Sequence, residues 1–211
     1  MQELLIYGAG DLGREYAWFV EAINQAQPTW ELRGFLDDGV PPGTVIDKWP
    51  VLGDVSYLRT INRNIFVVCA VAAPPIKEQI VERLSTITAV RFPVLAHPSV
   101  IMAPDVAIGE GSVIGPGCVL SAQVSIGRHV VINQMSSISH NVCVEDFSMI
   151  GPANNLGGWV HVGKGVDAGI GCTFKMETNV GDYAILGAGA VVVKDIPPAC
   201  TAVGVPARPI H

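Results

Sequence analysis

From Met102 to Val192 every sixth residue is apolar: Met102, Ile108, Ile114, Leu120, Ile126, Ile132, Ile138, Val144, Ile150, Leu156, Val162, Ala168, Phe174, Val180, Leu186 and Val192, sixteen positions without an insertion. Two residues ahead of each the side chain is small, and one residue behind it glycine recurs nine times in sixteen. An amphipathic helix repeats every ~3.6 residues and a half-buried strand every ~2, so a strict period of six fits neither. It predicts a solenoid of very short strands, each rung aiming one large and one small group inward, with the glycines where the chain turns its corners. Past Val192, Pro197, Pro198, Pro206 and Pro209 predict an end to the ladder and a cap over the last coil.

Ahead of the repeat the pattern changes. Leu4 to Gly8 reads as a short buried strand ending in GAGDLG, and Leu12, Tyr16, Phe19, Val20 and Ile23 share one helical face that stops before Pro28. Trp30 to Leu36, Ile65 to Val71 and Val90 to Leu95 read as further strands, with a helix opened by Pro74 and Pro75 between the last two. The Pro- and Gly-rich stretch after Gly39 reads as loop. Alternating strands and helices predict a small parallel α/β domain over residues 1–97, followed by the solenoid and its cap over residues 98–211.

Composition removes several classes of function. Only 15% of residues are charged and the net charge is -6, which argues against a nucleic-acid or anionic-membrane surface. No stretch is long and apolar enough to span a bilayer, and the N-terminus lacks a basic region followed by an apolar run, so a cytoplasmic protein without membrane insertion is expected. The five cysteines form no CxxC pair; Cys118 and Cys172 fall on the small inward position and are expected as buried free thiols. The histidines lack the clustering of a zinc site, so no metal is expected; His97 precedes a proline at the domain junction, and His129, His161 and His211 are expected at the surface.

Two features carry candidate chemistry. GxGxxG between a strand and a helix, with Asp37 and Asp38 about two dozen positions on, is a phosphate-binding arrangement: the glycines allow close backbone approach and the helix N-terminus favours an anion. A dinucleotide fold needs two such halves and the N-terminal domain supplies one, which favours a mononucleotide or nucleotide-linked ligand over a dinucleotide or a purely structural turn. His140 stands two residues past the inward Ile138, where the repeat has no need for an imidazole. Acyl transfer needs a base of near-neutral pKa, and the alternative is an ordinary loop histidine.

GAGDLG, FLDD after the second strand, HPSV at the junction, SSISHNV in mid-repeat, LGGWVHVG and GAGAVVVKDIPP…GVPARPI together resemble the hexapeptide-repeat sugar acetyltransferases, the sialic acid O-acetyltransferases and nucleotide-amino-sugar N-acetyltransferases. The resemblance implies a Rossmann-like domain followed by a left-handed parallel β-helix whose triangular coils hold three hexapeptides. It implies contacts from Ala9, Gly10, Asp11, Asp37 and Asp38 to a sugar nucleotide, and a general-base role for His140. Relatives follow that histidine with a carboxylate; Asn141 stands here, orienting the ring without charge unless Glu145 or Asp146 supplies one, which suits an amine acceptor better than a hydroxyl. One coil on from His140, Gly158 is expected beside it, its N–H polarising the thioester carbonyl. Met149, Ile170 and Ala188 are the implied contacts for coenzyme A in a groove between protomers of a homotrimer. Lys194 and Arg208 are candidates for its phosphates. The implied function is acetyl-CoA-dependent N-acetylation of the 4-amino group of a nucleotide-linked amino-deoxy sugar. O-acetylation of sialic acid or a related sugar, and a catalytically silent nucleotide-binding scaffold, are the rivals.

Overall fold

The structure, a computed structural model, describes residues 1–210, and the chain divides into two compact units, Met1–Leu95 and Ala96–His211. In the first, β1 (Gln2–Tyr7), α1 (Asp11–Ala26), β2 (Trp30–Leu36), β3 (Val45–Ile46), β4 (Trp49–Gly53), α2 (Val55–Leu58), β5 (Ile65–Cys69), α3 (Pro74–Ser85) and β6 (Val90–Arg91) follow one another. The sheet runs β3-β4-β2-β1-β5-β6, and every pair is parallel except β3 with β4. Leu4, Leu5 and Ile6 of the central β1 are all buried, the unbroken apolar run of a strand covered on both faces. From α1, Tyr16, Ala17, Phe19 and Val20 are buried.

Two expectations fail here for local reasons. The stretch after Gly39 is not all loop: β4 pairs in parallel with β2 through Phe35 and Val51, and Pro50, which breaks the apolar pattern, lies opposite Val45 of the two-residue β3. Val90 to Leu95 is not one strand. It stops at Arg91 and resumes as Leu95–Ala96, because Pro93 has no N–H to offer a ladder.

The second unit is a solenoid with three parallel faces. Ile101, Val119, Ser137, Asn155, Thr173 and Val191 pair in register along one; Val113, Val131, Met149, Asp167 and Ile185 along the next; Ala107, Ser125, Cys143, His161 and Asn179 along the third. Each partner lies eighteen residues on. Ile114, Ile132, Ile150, Val162 and Val192 stack inside with no exposed surface, each side chain contributing ~1.5–3 kcal/mol by leaving water. Where serine takes the small inward position it is satisfied: Ser148 Oγ donates to Gly163 O (2.8 Å) and accepts from Val166 N (3.1 Å).

The glycines behind the inward residues do not turn the corners, contrary to expectation. A Cβ on Gly127 would lie 2.6 Å from Asp146 N, and one on Gly151 2.8 Å from Ala168 O; glycine is there because the next coil's backbone passes too close for a side chain. The left-handed turn falls two residues later, at Gln123, His129, Met135, Asn141, Phe147, Ala153 and Trp159, with φ between 55° and 65°. Nor does the ladder end with the prolines: Thr201–Val203 adds in parallel to Ile185–Leu186 and takes Arg208–Pro209 antiparallel on its other side, prolonging one face beyond Pro197 and Pro198.

Candidate active site

At the corner that follows Ile138, successive coils place Ala122, His140, Gly158, Met176 and Lys194 in one column, with Gln123, Asn141 and Trp159 in the column beside it. Asn141 Oδ1 lies 3.0 Å from His140 Nδ1, and Asn141 Nδ2 donates to Gln123 Oε1 at 2.5 Å. The left-handed φ of 59° at Asn141 is one that Asn tolerates better than most residues. A Cβ on Gly158 would lie 2.6 Å from His140 Cε1 and 2.8 Å from Nε2, so only glycine leaves that edge of the ring undisturbed. Trp159, exposed, meets the ring edge-on, with centroids 6.5 Å apart.

The Gly158 N–H makes no hydrogen bond among the described residues. At the equivalent place on another corner carboxylates fill the gap: Arg128 N donates to Asp146 Oδ1 (2.7 Å) and Lys164 N to Asp182 Oδ1 (3.0 Å). The solenoid ladder omits this N–H and leaves it for an acceptor of another kind. Gly158 itself is buried and borders the Cε1–Nε2 edge of the His140 imidazole.

Neither Glu145 nor Asp146 serves His140. Glu145 Oε1 lies 2.8 Å from His161 Nε2, and Asp146 holds Arg128 at 2.7 Å, because both residues follow Val144 on a different face and corner. Burial raises the Asp146 carboxyl, but the Arg128 backbone N–H and guanidinium outweigh it and hold it below the usual carboxylate range. Burial, followed by Glu145, pushes the neighbouring Cys143 thiol up. His129 is not a surface residue: it is 4% exposed and stacks on Phe147, with ring centroids 5.3 Å apart. His97 is half-buried, which lowers its pKa, and His211 lies outside the described residues. Among the described residues, no group of three or more His, Cys, Asp or Glu is arranged to hold a metal ion.

The residues implied for coenzyme A fall in three places. Met149 is buried on a face, between Val131 and Asp167. Ile170 and Ala188 are exposed, one coil apart, at the corner following that face, joined by the bond from Gly189 N to Ile170 O. Lys194 is exposed and shares the column of His140, three coils on, about 14 Å along the axis at ~4.8 Å per coil.

In the first unit the glycine loop divides its labour. A Cβ on Gly8 would lie 2.6 Å from Ala70 O, and one on Gly13 2.0 Å from Gly8 O, whereas a Cβ on Gly10 would meet nothing within 4 Å. The outer two glycines are packing requirements; Gly10, the N-cap of α1 with no side-chain cap, faces open space with unpaired helix N–H groups behind it. Asp37 accepts from Ala9 N, Gly39 N and Val40 N at 2.9, 2.8 and 3.1 Å, tying the glycine loop to the loop after β2. Asp38 pairs with Arg83 at 3.0 Å. Asp11 is exposed on the first turn of α1. A cleft of about 530 Å³ opens beside Asp37 and Asp38 and is lined also by Ser56, Tyr57 and Thr60. Those three carry no motif, so the sequence gives no sign of them. Gln123 does have a signal: it stands eighteen residues before Asn141.

Residues 3–84 match the PglD N-terminal domain family, and residues 90–198, more than half of the chain, the GMPPB C-terminal domain family. The acetyltransferase domain of PglB from Neisseria gonorrhoeae, solved with acetyl coenzyme A, is 30% identical and superposes with a TM-score of 0.83 over 99% of both chains. The chain belongs to the hexapeptide-repeat sugar acetyltransferase family. Two further acetyltransferases are similar along nearly their whole length or most of it. The GDP-perosamine N-acetyltransferase of Escherichia coli O157:H7 is 28% identical over 193 residues, 91% of this chain and 78% of that protein. A mutant of perosamine N-acetyltransferase from Caulobacter crescentus, in complex with CoA and GDP-perosamine, is 25% identical with a TM-score of 0.89, covering 100% of this chain and 98% of that one.

Proposed function

We propose that this acetyltransferase moves the acetyl group of acetyl-CoA onto the 4-amino group of a nucleotide-linked amino-deoxy sugar. The observation that carries the reading is the juxtaposition of an oriented imidazole, His140, with the unpaired backbone N–H of Gly158 one coil away. The amine nitrogen attacks the thioester carbonyl while its proton passes to His140 Nε2. Charge developing on the carbonyl oxygen is met by the Gly158 N–H. When the C–S bond breaks, the imidazolium returns the proton to the departing thiolate, giving an amide and free coenzyme A. Asn141 orients the ring with a neutral oxygen, adequate for an amine, which attacks without prior full deprotonation.

The glycine loop and the cleft beside Asp37 and Asp38 serve the nucleotide, the diphosphate against Gly10 and the start of α1. Met149, Ile170, Ala188 and Lys194 serve coenzyme A, in grooves between the solenoids of a homotrimer. A cytoplasmic location fits five free thiols and the absence, among the described residues, of a helix long and apolar enough to cross a membrane. The test mixes protein and acetyl-CoA with a panel of nucleotide-linked amino sugars, GDP-perosamine included, and with free sialic acid, and follows thiol release. Turnover of an amino sugar nucleotide, lost by about 10²-fold or more in His140→Ala, is expected; turnover of free sialic acid alone refutes the reading.

A further inference from the structure

We infer that Gln123 is a positioning residue that selects which nitrogen of His140 acts as the base. The inference deepens the reading above and rests on it for its kinetic part only. An asparagine amide has an accepting and a donating end of nearly the same shape, so Asn141 alone does not decide what His140 meets at Nδ1. Gln123 decides it. Its Oε1 accepts from Asn141 Nδ2 at 2.5 Å, which leaves Asn141 Oδ1 for the ring, 3.0 Å from Nδ1. An accepting oxygen at that distance requires a proton on Nδ1, and the lone pair then sits on Nε2, the edge bordered by Gly158.

The solenoid supplies the geometry. Gln123 and Asn141 occupy the same left-handed corner position one coil apart, with φ of 58° and 59°, so their side chains leave the corner in parallel. Asp105 stands one coil further back and accepts the Gln123 backbone N–H at 3.2 Å. That bond fixes the backbone from which the Gln123 side chain reaches Asn141. The result is an uncharged series, Gln123 to Asn141 to His140, that orients the ring without a carboxylate beside it.

Two variants separate this role from a merely structural one. Gln123→Met keeps the length and removes the acceptor; Gln123→Glu keeps an acceptor that cannot reverse. Gln123 is exposed, so both variants are expected to fold, and thermal melts check that they do. With ¹⁵N-labelled histidine at a pH where the ring is neutral, NMR is expected to show wild-type His140 with the proton on Nδ1, Gln123→Glu the same, and Gln123→Met a mixture of tautomers. In turnover, Gln123→Met is expected to lose about 10-fold in kcat with little change in either KM, and Gln123→Glu to stay within about 3-fold of wild type. A wild-type ring protonated on Nε2, an unshifted tautomer in Gln123→Met, or a Gln123→Glu as impaired as Gln123→Met overturns the inference. The tautomer is read without substrate, so a correct Nδ1–H signal in a protein that acetylates none of the amino sugars would sink the proposed function and leave this assignment standing.

Discussion

Gly158→Ala adds a single methyl group where the structure has least room for one. The new Cβ would lie 2.6 Å from His140 Cε1 and 2.8 Å from Nε2, against an ordinary carbon–carbon contact of roughly 3.5 Å. One partner must yield by about 0.9 Å. The Gly158 backbone is held through its carbonyl, which accepts from Glu177 N at 3.0 Å, and through the next residue, whose N–H donates to His140 O at 3.1 Å. His140 is exposed and held by one side-chain bond, so the ring gives way and its 3.0 Å contact to Asn141 is strained or lost. Misplacing a catalytic group by ~1 Å costs on the order of 10²-fold in rate, about 2.7 kcal/mol of barrier. Steady-state kinetics with acetyl-CoA and an accepted amino sugar nucleotide should show this in kcat, while the melting temperature stays within a few degrees because the ring moves toward solvent. A variant with near-normal kcat would refute the placement of the chemistry at this corner.

Other perturbations separate the fold from the sites. Ile150→Ala opens a cavity in the fully buried stack and is expected to cost about 3 kcal/mol, seen as a lower urea midpoint with kcat unchanged at low temperature. Asp37→Ala releases the Ala9 N–H of the glycine loop and the Gly39 and Val40 N–H groups of the loop after β2; KM for the sugar nucleotide should rise about 10-fold with KM for acetyl-CoA unchanged, and an equal rise in both would refute a nucleotide role. Asp146 contributes through a lowered pKa, so its stabilisation is present above the unfolded value of about 4 and is lost as pH falls through the folded one. Asp146→Asn should therefore remove about 0.5–1 kcal/mol at pH 7, and less as the acid limb is descended, measured by denaturant unfolding across that range.

The solenoid was legible because its signal repeats: each inward residue from Met102 to Val192 votes for the same period, and a lone Ala168 does not break it. The corners were not. Whether a corner side chain is buried depends on residues eighteen away, and His129 goes inside because Gly111 leaves a slot for its ring and Phe147 covers it. Glu145 and Asp146, open candidates for a carboxylate beside His140, have other partners for a related reason: they follow it closely in the chain but lie on a different face, while Gln123, far from it in sequence, is within a hydrogen bond of Asn141. In the first unit the glycine motif announced itself, but β4 was hidden by Pro50, and with it the wall of the cleft built by Ser56, Tyr57 and Thr60.

The six-residue rung and the eighteen-residue coil set different tolerances for change. Removing one rung between Val144 and Leu156 would keep a large aliphatic group inside at every step, and the prism would still close. Everything downstream would be rotated by a third of a turn, and Gly158 would arrive at a different edge from His140. Losing or gaining whole coils elsewhere leaves that pairing intact. The architecture therefore permits length variation freely in its interior while admitting, between residues 140 and 158, no spacing but one full circuit.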